Sequence, residues 1–233
     1  MACTERRFFG VPVVEQSADD LADYWGQERS KAELLMFADR PLMWRISRSR
    51  GLRQFFLDSR GKIAPNCRGA HRQIRVATGC VAGPFVELQS VVRILARAEQ
   101  DTASVYLVGR SQDQLQRAEQ NVRATFPKLR VVGRAVFHPG SLDQVTTAIR
   151  KSAPRIVLVG SESTSVLKWL SRRTRDFGPV RTIVAYRAIQ RMAGHRTVPR
   201  ASAWFAVLVR PLVGPALIIH RIIAARRRKK LRA

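Results

Sequence analysis

Two short stretches carry the residues best placed for chemistry: Gly109-Arg110 and Gly160-Ser161-Glu162. Each closes a β-branched run, SVYLVG at 104–109 and RIVLVG at 155–160, so each stands where a buried strand ends. If those strands are parallel, their carboxyl ends form the crevice in which an open α/β sheet takes a nucleotide-like ligand. Glu162 is the only acid at that expected edge; it reads either as a proton acceptor or as a first-turn helix charge in solvent. Thr78-Gly79 reads as a turn able to cradle a phosphate, or as an ordinary turn of that composition. His71, in a basic stretch, and Asp39, after an apolar run, are the other residues able to move a proton. Gly109-Arg110-Ser111 makes neither a GxGxxG nor a Walker loop, and the chain holds no HExxH, paired CxxC or nucleophile elbow. Dinucleotide redox chemistry, NTP hydrolysis and zinc proteolysis therefore have no support.

The elements that must position these residues are clearest between Ser104 and Gly160. The order there is strand, helix, strand, helix, strand. Ser111 with Gln114 has the form of a capping box, and Leu115, Ala118 and Val122 recur at helical spacing. Phe126-Pro127 ends that helix and Leu129–Gly133 supplies the middle strand. Ser141 with Gln144 repeats the capping signature ahead of Leu142, Val145 and Ile149, and Ala153-Pro154 closes the second helix. Upstream, FFGVPVV suggests an opening strand, Ser17 with Asp20 caps a helix carrying Leu21 and Trp25, and Leu34–Ala38 suggests a second strand. Pro41–Leu57 reads as one Arg-rich helix and 62–67 as a strand entering a turn. Arg68–Gly83, with Arg68, His71, Arg72 and Arg75, reads as a loop. Pro84 suits a helix first turn before Phe85, Leu88, Val92 and Leu95. Ser163–Arg175 reads as a helix and Val180–Tyr186 as a further strand.

At 233 residues the chain has room for one sizeable α/β domain and an appendage. Hydrophobic content of 45% and charged content of 25% are those of a globular protein. A formal net charge of +25 draws such a chain to polyanions. Cys3, Cys67 and Cys80 lie at no metal-ligand spacing, and their odd number disfavours a disulfide framework, which fits a reducing cytosol. The first ten residues lack an apolar run of signal-peptide length. From Phe177 to the end there is no Asp or Glu. After a linker at Gly194–Pro199, the tail alternates apolar runs with Arg210, Pro211, Pro215, His220 and Arg221, and it finishes in an RRRKK cluster. The interruptions make it too broken to span a bilayer, and the pattern suits a segment lying in the interface of an anionic membrane. The other reading is a helix packed on the domain with a solvated basic tail. The expected division is a Rossmann-like domain at 1–195 and a membrane-associating appendage at 196–233. A nucleic-acid-binding protein is the alternative that charge alone suggests, but aromatics are only 7% and the acid-free zone is apolar.

Beyond these patterns, VYLVGRSQDQLQRAEQNVRATFPKLRVVG, SLDQVTTAIRKSAPRIVLVG and LKWL at 167–170 resemble the core of the WecG/TagA/CpsF glycosyltransferase family. FFGVPVVEQSADDLAD at 8–23 resembles that family's opening, Ala64-Pro65-Asn66 its Pro-Asp-Gly loop, and Val76–Gly79 its V-T-G turn. Met192-Ala193-Gly194 and Arg200-Ala201-Ser202-Ala203-Trp204 resemble its later L-A-G and R-A-P-x-W elements. The resemblance implies a Rossmann-like α/β fold, an open and largely parallel sheet with helices on both faces, and a basic helical appendage at the C-terminus. It implies inverting transfer of a sugar from a UDP-sugar to a lipid-linked acceptor in cell-surface polysaccharide synthesis, with no metal and no cofactor. It also implies a cytoplasmic enzyme peripheral to the membrane. On that reading Thr78, Gly79, Gly109, Arg110, Gly160, Ser161 and Gln190 line the substrate site, and Arg200, Arg210 or Arg221 reach the diphosphate.

The polar positions depart from the family pattern. The family's proposed general base, the Asp of Pro-Asp-Gly, is Asn66 here, and an amide does not ionise to take a proton. Its Gln two residues before Lys-Trp falls on Val166, its early Thr-x-Asn near Met36-Phe37-Ala38, its later Asp on Gln190 and a preceding Gly on Tyr186. Asn66 and Glu162 are the catalytic candidates that result, with His71 and Asp39 as substitutes. The competing expectation is an inactive homologue, self-associated or held against an active glycosyltransferase at the membrane.

Overall fold

The computed structural model describes residues 6–27, 31–79 and 83–194. Its centre is a six-stranded sheet built from β3 (Glu33–Ala38), β4 (Gly61–Pro65), β5 (Ser104–Gly109), β6 (Arg130–Val136), β7 (Ile156–Val159) and β8 (Arg181–Val184). The strand order is β4-β3-β8-β7-β5-β6, and every pairing is parallel. A small antiparallel hairpin, β1 (Arg7–Phe8) and β2 (Val11–Pro12), precedes it, so the FFGVPVV run is a hairpin and not one strand. The chain then joins the sheet through a Val13–Ile63 bridge beside β4.

Side chains alternate across this sheet, and each face is covered because parallel strands need crossover helices. Met36, Val108, Val157 and Val184 share one apolar layer with helices α2 (Arg40–Arg48), α3 (Arg50–Asp58), α4 (Arg68–Thr78), α7 (Leu142–Ser152) and α8 (Thr164–Arg173). Leu35, Leu107, Leu158 and Ile183 share the other with α1 (Ala18–Gly26), α5 (Glu87–Gln100), α6 (Gln112–Thr125) and α9 (Tyr186–Met192). The Rossmann-like α/β expectation is thus what the protein has. None of the helices among the described residues is long and apolar enough to cross a membrane.

Local departures have local causes. Arg68–Gly83 is not all loop: α4 occupies its first eleven residues, with Ala70, Gln73 and Ile74 inward. Its inward face carries few large apolar groups and its composition is dominated by Arg and polar residues, so the stretch resembles a loop in composition. Pro41–Leu57 is two helices, because Ser49 ends α2 with its backbone and caps α3 by accepting from Leu52 N. Ser141 does not cap α7 with its side chain; its hydroxyl donates to His138 O within a 3-10 turn. Pro84 lies before α5, and Phe85 N donates to Pro65 O at 2.8 Å, tying that connection to the end of β4. Tyr186 begins α9 where a strand was expected to end. β6 runs three residues past Gly133. The 195/196 boundary and the whole expected appendage lie outside the described residues.

Candidate active site

The carboxyl ends of the strands form one edge, and the helices α2, α4, α6 and α8 all begin there. Their caps are Asp39, Cys67, Ser111 and Ser163. α4 and α8 carry no acid at the cap or in the first turn, so their positive ends are not neutralised by their own side chains, whereas the Asp39 carboxylate caps α2. An edge ringed by such termini favours a phosphate-bearing ligand.

Gly109, Gly160 and Ala185 lie side by side at the ends of β5, β7 and β8, linked by Gly160 N to Val108 O at 2.7 Å and Ala185 N to Val159 O at 2.9 Å. Both glycines have a packing reason. A Cβ on Gly109 would come within 2.8 Å of Leu115, and one on Gly160 within 2.9 Å of Ile189. They bring α6 and α9 close to the sheet and so shape the edge. One residue further, Arg110 stacks over the Tyr186 ring at 5.7 Å, and Tyr186 Oη accepts from Gln190 at 2.5 Å. Arg110 and Gln190, far apart in sequence, thus meet around one aromatic ring. Ser161 is buried, with its hydroxyl turned to Ser163.

A second cluster lies across the β4 and β3 ends. Asn66 Nδ2 donates to Glu87 Oε2 at 3.1 Å, and Glu87 Oε1 accepts from Ala188 N at 2.9 Å. Asn66 N donates to Ala38 O, extending the sheet ladder by one bond. Asn66 Oδ1 is buried and accepts no hydrogen bond among the described residues. Burial pushes the Glu87 carboxyl above the ordinary glutamate range, and the Ala188 and Asn66 bonds and the Arg187 charge only partly offset this. Beside it, Asp39 caps α2 through Leu42 N at 3.0 Å and accepts from Arg187 Nη2 at 3.2 Å. Asp39 is therefore committed to holding α2 and α9 together.

The remaining candidates are spread out. Glu162 lies in the loop from β7 to α8, half-buried. Two strands separate β7 from β4, so at about 4.8 Å per strand Glu162 stands roughly 14 Å along the edge from Asn66. One acid–base pair acting on a single hydroxyl cannot be built from those two. His71 belongs to α4. Thr78 donates its hydroxyl to Ile74 O at 2.8 Å and Gly79 ends α4 with φ +93°, so both are helix-end residues. They lie one helix length, about 16 Å, from Cys67. Met36 and Val166 are fully buried in the same apolar layer. Arg200, Arg210 and Arg221 lie outside the described residues.

Neither Glu87 nor Arg187 stands out in the sequence. An acid near the start of an amphipathic helix is ordinary, and nothing local says that Glu87 is buried. Its partners come from the segment after β4 and from α9, a hundred residues on.

The parallel sheet and the helix termini at its carboxyl edge define a Rossmann-like α/β scaffold, a fold that takes its ligands at that edge. A model of the glycosyl transferase WecG/TagA/CpsF family matches residues 6–209, and the chain belongs to that family. A search of curated proteins finds no match.

Proposed function

We propose that the protein transfers a sugar from a UDP-sugar to a lipid-linked acceptor in the synthesis of a cell-surface polysaccharide, working at the inner face of the membrane. The observation that carries this reading is the carboxyl edge itself, where a chain of this family presents the acid-free N-termini of α4 and α8. The diphosphate lies toward Gly109, Arg110, Gly160 and Ser161, with Gln190 and Tyr186 beside it. Arg200, Arg210 and Arg221 supply further positive charge from the tail, which holds the protein on anionic lipid. Asn66 orients the Glu87 carboxyl by donating its Nδ2 to Oε2. Glu87, the carboxyl in contact with Asn66 and already disposed to hold a proton, takes the proton as the acceptor hydroxyl attacks the anomeric carbon and UDP leaves. Glu162, three strands away, belongs to the donor end of the crevice.

A second reading, an inactive homologue acting as a membrane-bound partner of an active glycosyltransferase, is favoured by two observations. The Asn66 amide is already spent on Glu87, and Met36 and Val166 are apolar and fully buried. Calorimetric titration with UDP and UDP-sugars, followed by transfer to a lipid-linked acceptor, separates the two. Transfer that falls about 100-fold or more in kcat on Glu87→Gln, with UDP binding kept, is the result expected of the first. UDP binding with no transfer by the natural chain selects the second, and absence of both removes the nucleotide-sugar reading.

A further inference from the structure

The two helical layers differ sharply in charge. The layer of α2, α3, α4, α7 and α8 holds thirteen Lys or Arg against two acids, Asp58 and Asp143. The layer of α1, α5, α6 and α9 holds six against seven. Four of the six cations of the second layer are paired: Arg93 with Asp19, Arg97 with Asp23 and Asp101, Arg123 with Glu119, and Arg187 with Asp39. In the first layer Arg45, Arg48 and Lys168 have no carboxylate partner among the described residues.

These three cations border one groove. It is a cavity of about 440 Å³ between the α2–α3 corner and α8, with Leu52, Phe55 and Leu167 among its lining residues. Arg45 is held across it by donating to Thr164 Oγ1 at 2.9 Å. Arg48 lies 4.3 Å over the Trp44 ring, so that ring has one face taken and is poorly offered to a nucleobase. The groove therefore has an apolar lining under a cationic rim.

We propose that this groove and the basic layer around it are a docking surface for anionic phospholipid, built into the folded domain and separate from the tail. Headgroup phosphates meet Arg45, Arg48 and Lys168, and the first methylenes of the acyl chains cover the partly exposed Leu52. Charge complementarity selects an anionic partner, and the apolar lining selects an amphipathic one over a nucleic acid. The surface would turn the α2–α3–α8 side toward the bilayer whether or not the protein transfers sugar.

The test uses the full chain and vesicles of phosphatidylcholine with or without phosphatidylglycerol. The triple variant Arg45→Gln, Arg48→Gln, Lys168→Gln is compared with Arg117→Gln, Lys128→Gln, Arg191→Gln, three exposed cations away from the groove. Circular dichroism verifies that each is folded. Near an anionic surface each basic residue is worth about a five-fold factor, so the groove triple is expected to weaken phosphatidylglycerol-dependent binding on the order of 100-fold. The control triple is expected to weaken it only a few-fold. Equal losses in the two triples, or no loss in the groove triple, overturn the proposal. So does tight, steeply salt-dependent binding of single-stranded RNA that the groove triple abolishes while vesicle binding survives. Lys168→Glu, a single exposed reversal, is the second variant and should lower vesicle affinity more than Lys168→Gln does.

Discussion

An amide beside a buried carboxylate is chemically unlike two carboxylates in the same place. Asn66 donates to Glu87 at 3.1 Å; an Asp there would set like charges against each other, and one of the two would have to keep a proton. Asn66→Asp is therefore expected to lower stability at neutral pH by about 1–3 kcal/mol, an effect that shrinks below about pH 5 in urea denaturation. Glu87 itself has a raised pKa, so the folded state binds its proton more tightly than the unfolded chain does. That gain is fully present at pH values below the ordinary glutamate range and is lost as the pH rises through the raised value. The natural protein should accordingly lose stability relative to Glu87→Gln as the pH rises through that window, which paired denaturation curves would read. Gly160 gives a steric counterpart. Its Cβ would meet Ile189 at 2.9–3.1 Å, so Gly160→Ala should cost about 1–3 kcal/mol in thermal or urea unfolding.

At the scale of elements, the site depends on how α9 and α5 are docked. Arg187 and Ala188 of α9 bond to Asp39, at the end of β3, and to Glu87, at the start of α5. Asp39→Ala should cost about 1 kcal/mol through the lost cap on α2, and Asp39→Asn should keep most of that stability while losing the charged bond to Arg187. A difference between these two variants in UDP affinity, beyond their difference in stability, would tie the Asp39–Arg187 bond to the shape of the edge. Elements were legible where their pattern is local. Ser104–Ser152 shows its strands and helices through β-branched runs and apolar stripes, and Ser111 caps α6 as its spacing with Gln114 suggests. α4 was hidden because Arg68, Gly69, His71, Arg72, Gln73 and Arg75 make its composition polar, although its few apolar residues share one face. The break at Ser49 was hidden because one serine ends one helix and starts the next, a matter of backbone direction.

For the whole molecule, the net charge of +25 is not spread evenly. One helical layer of the folded domain is nearly neutral with half of its cations paired within it, and the other is strongly basic with few acids. A field of that asymmetry orients the protein on an anionic surface, and added salt should weaken vesicle binding steeply over the range where the screening length falls below about 10 Å. Vesicle binding that stays unchanged between about 50 and about 500 mM salt would exclude an electrostatic origin.

By itself the sequence determined the parallel α/β scaffold, its family and the ends of the strands at Gly109 and Gly160. Those follow from residue type and spacing along the chain, because β-branched runs, caps and helical stripes are local signals. Only the tertiary structure decided which residues share the edge. Strand order puts Glu162 far from Asn66, places Glu87 under the Asn66 amide and gathers Arg110 with Tyr186 and Gln190. It also sorted the cations onto one layer. Strand order and the side on which each helix crosses arise from packing between distant segments, which no local spacing encodes.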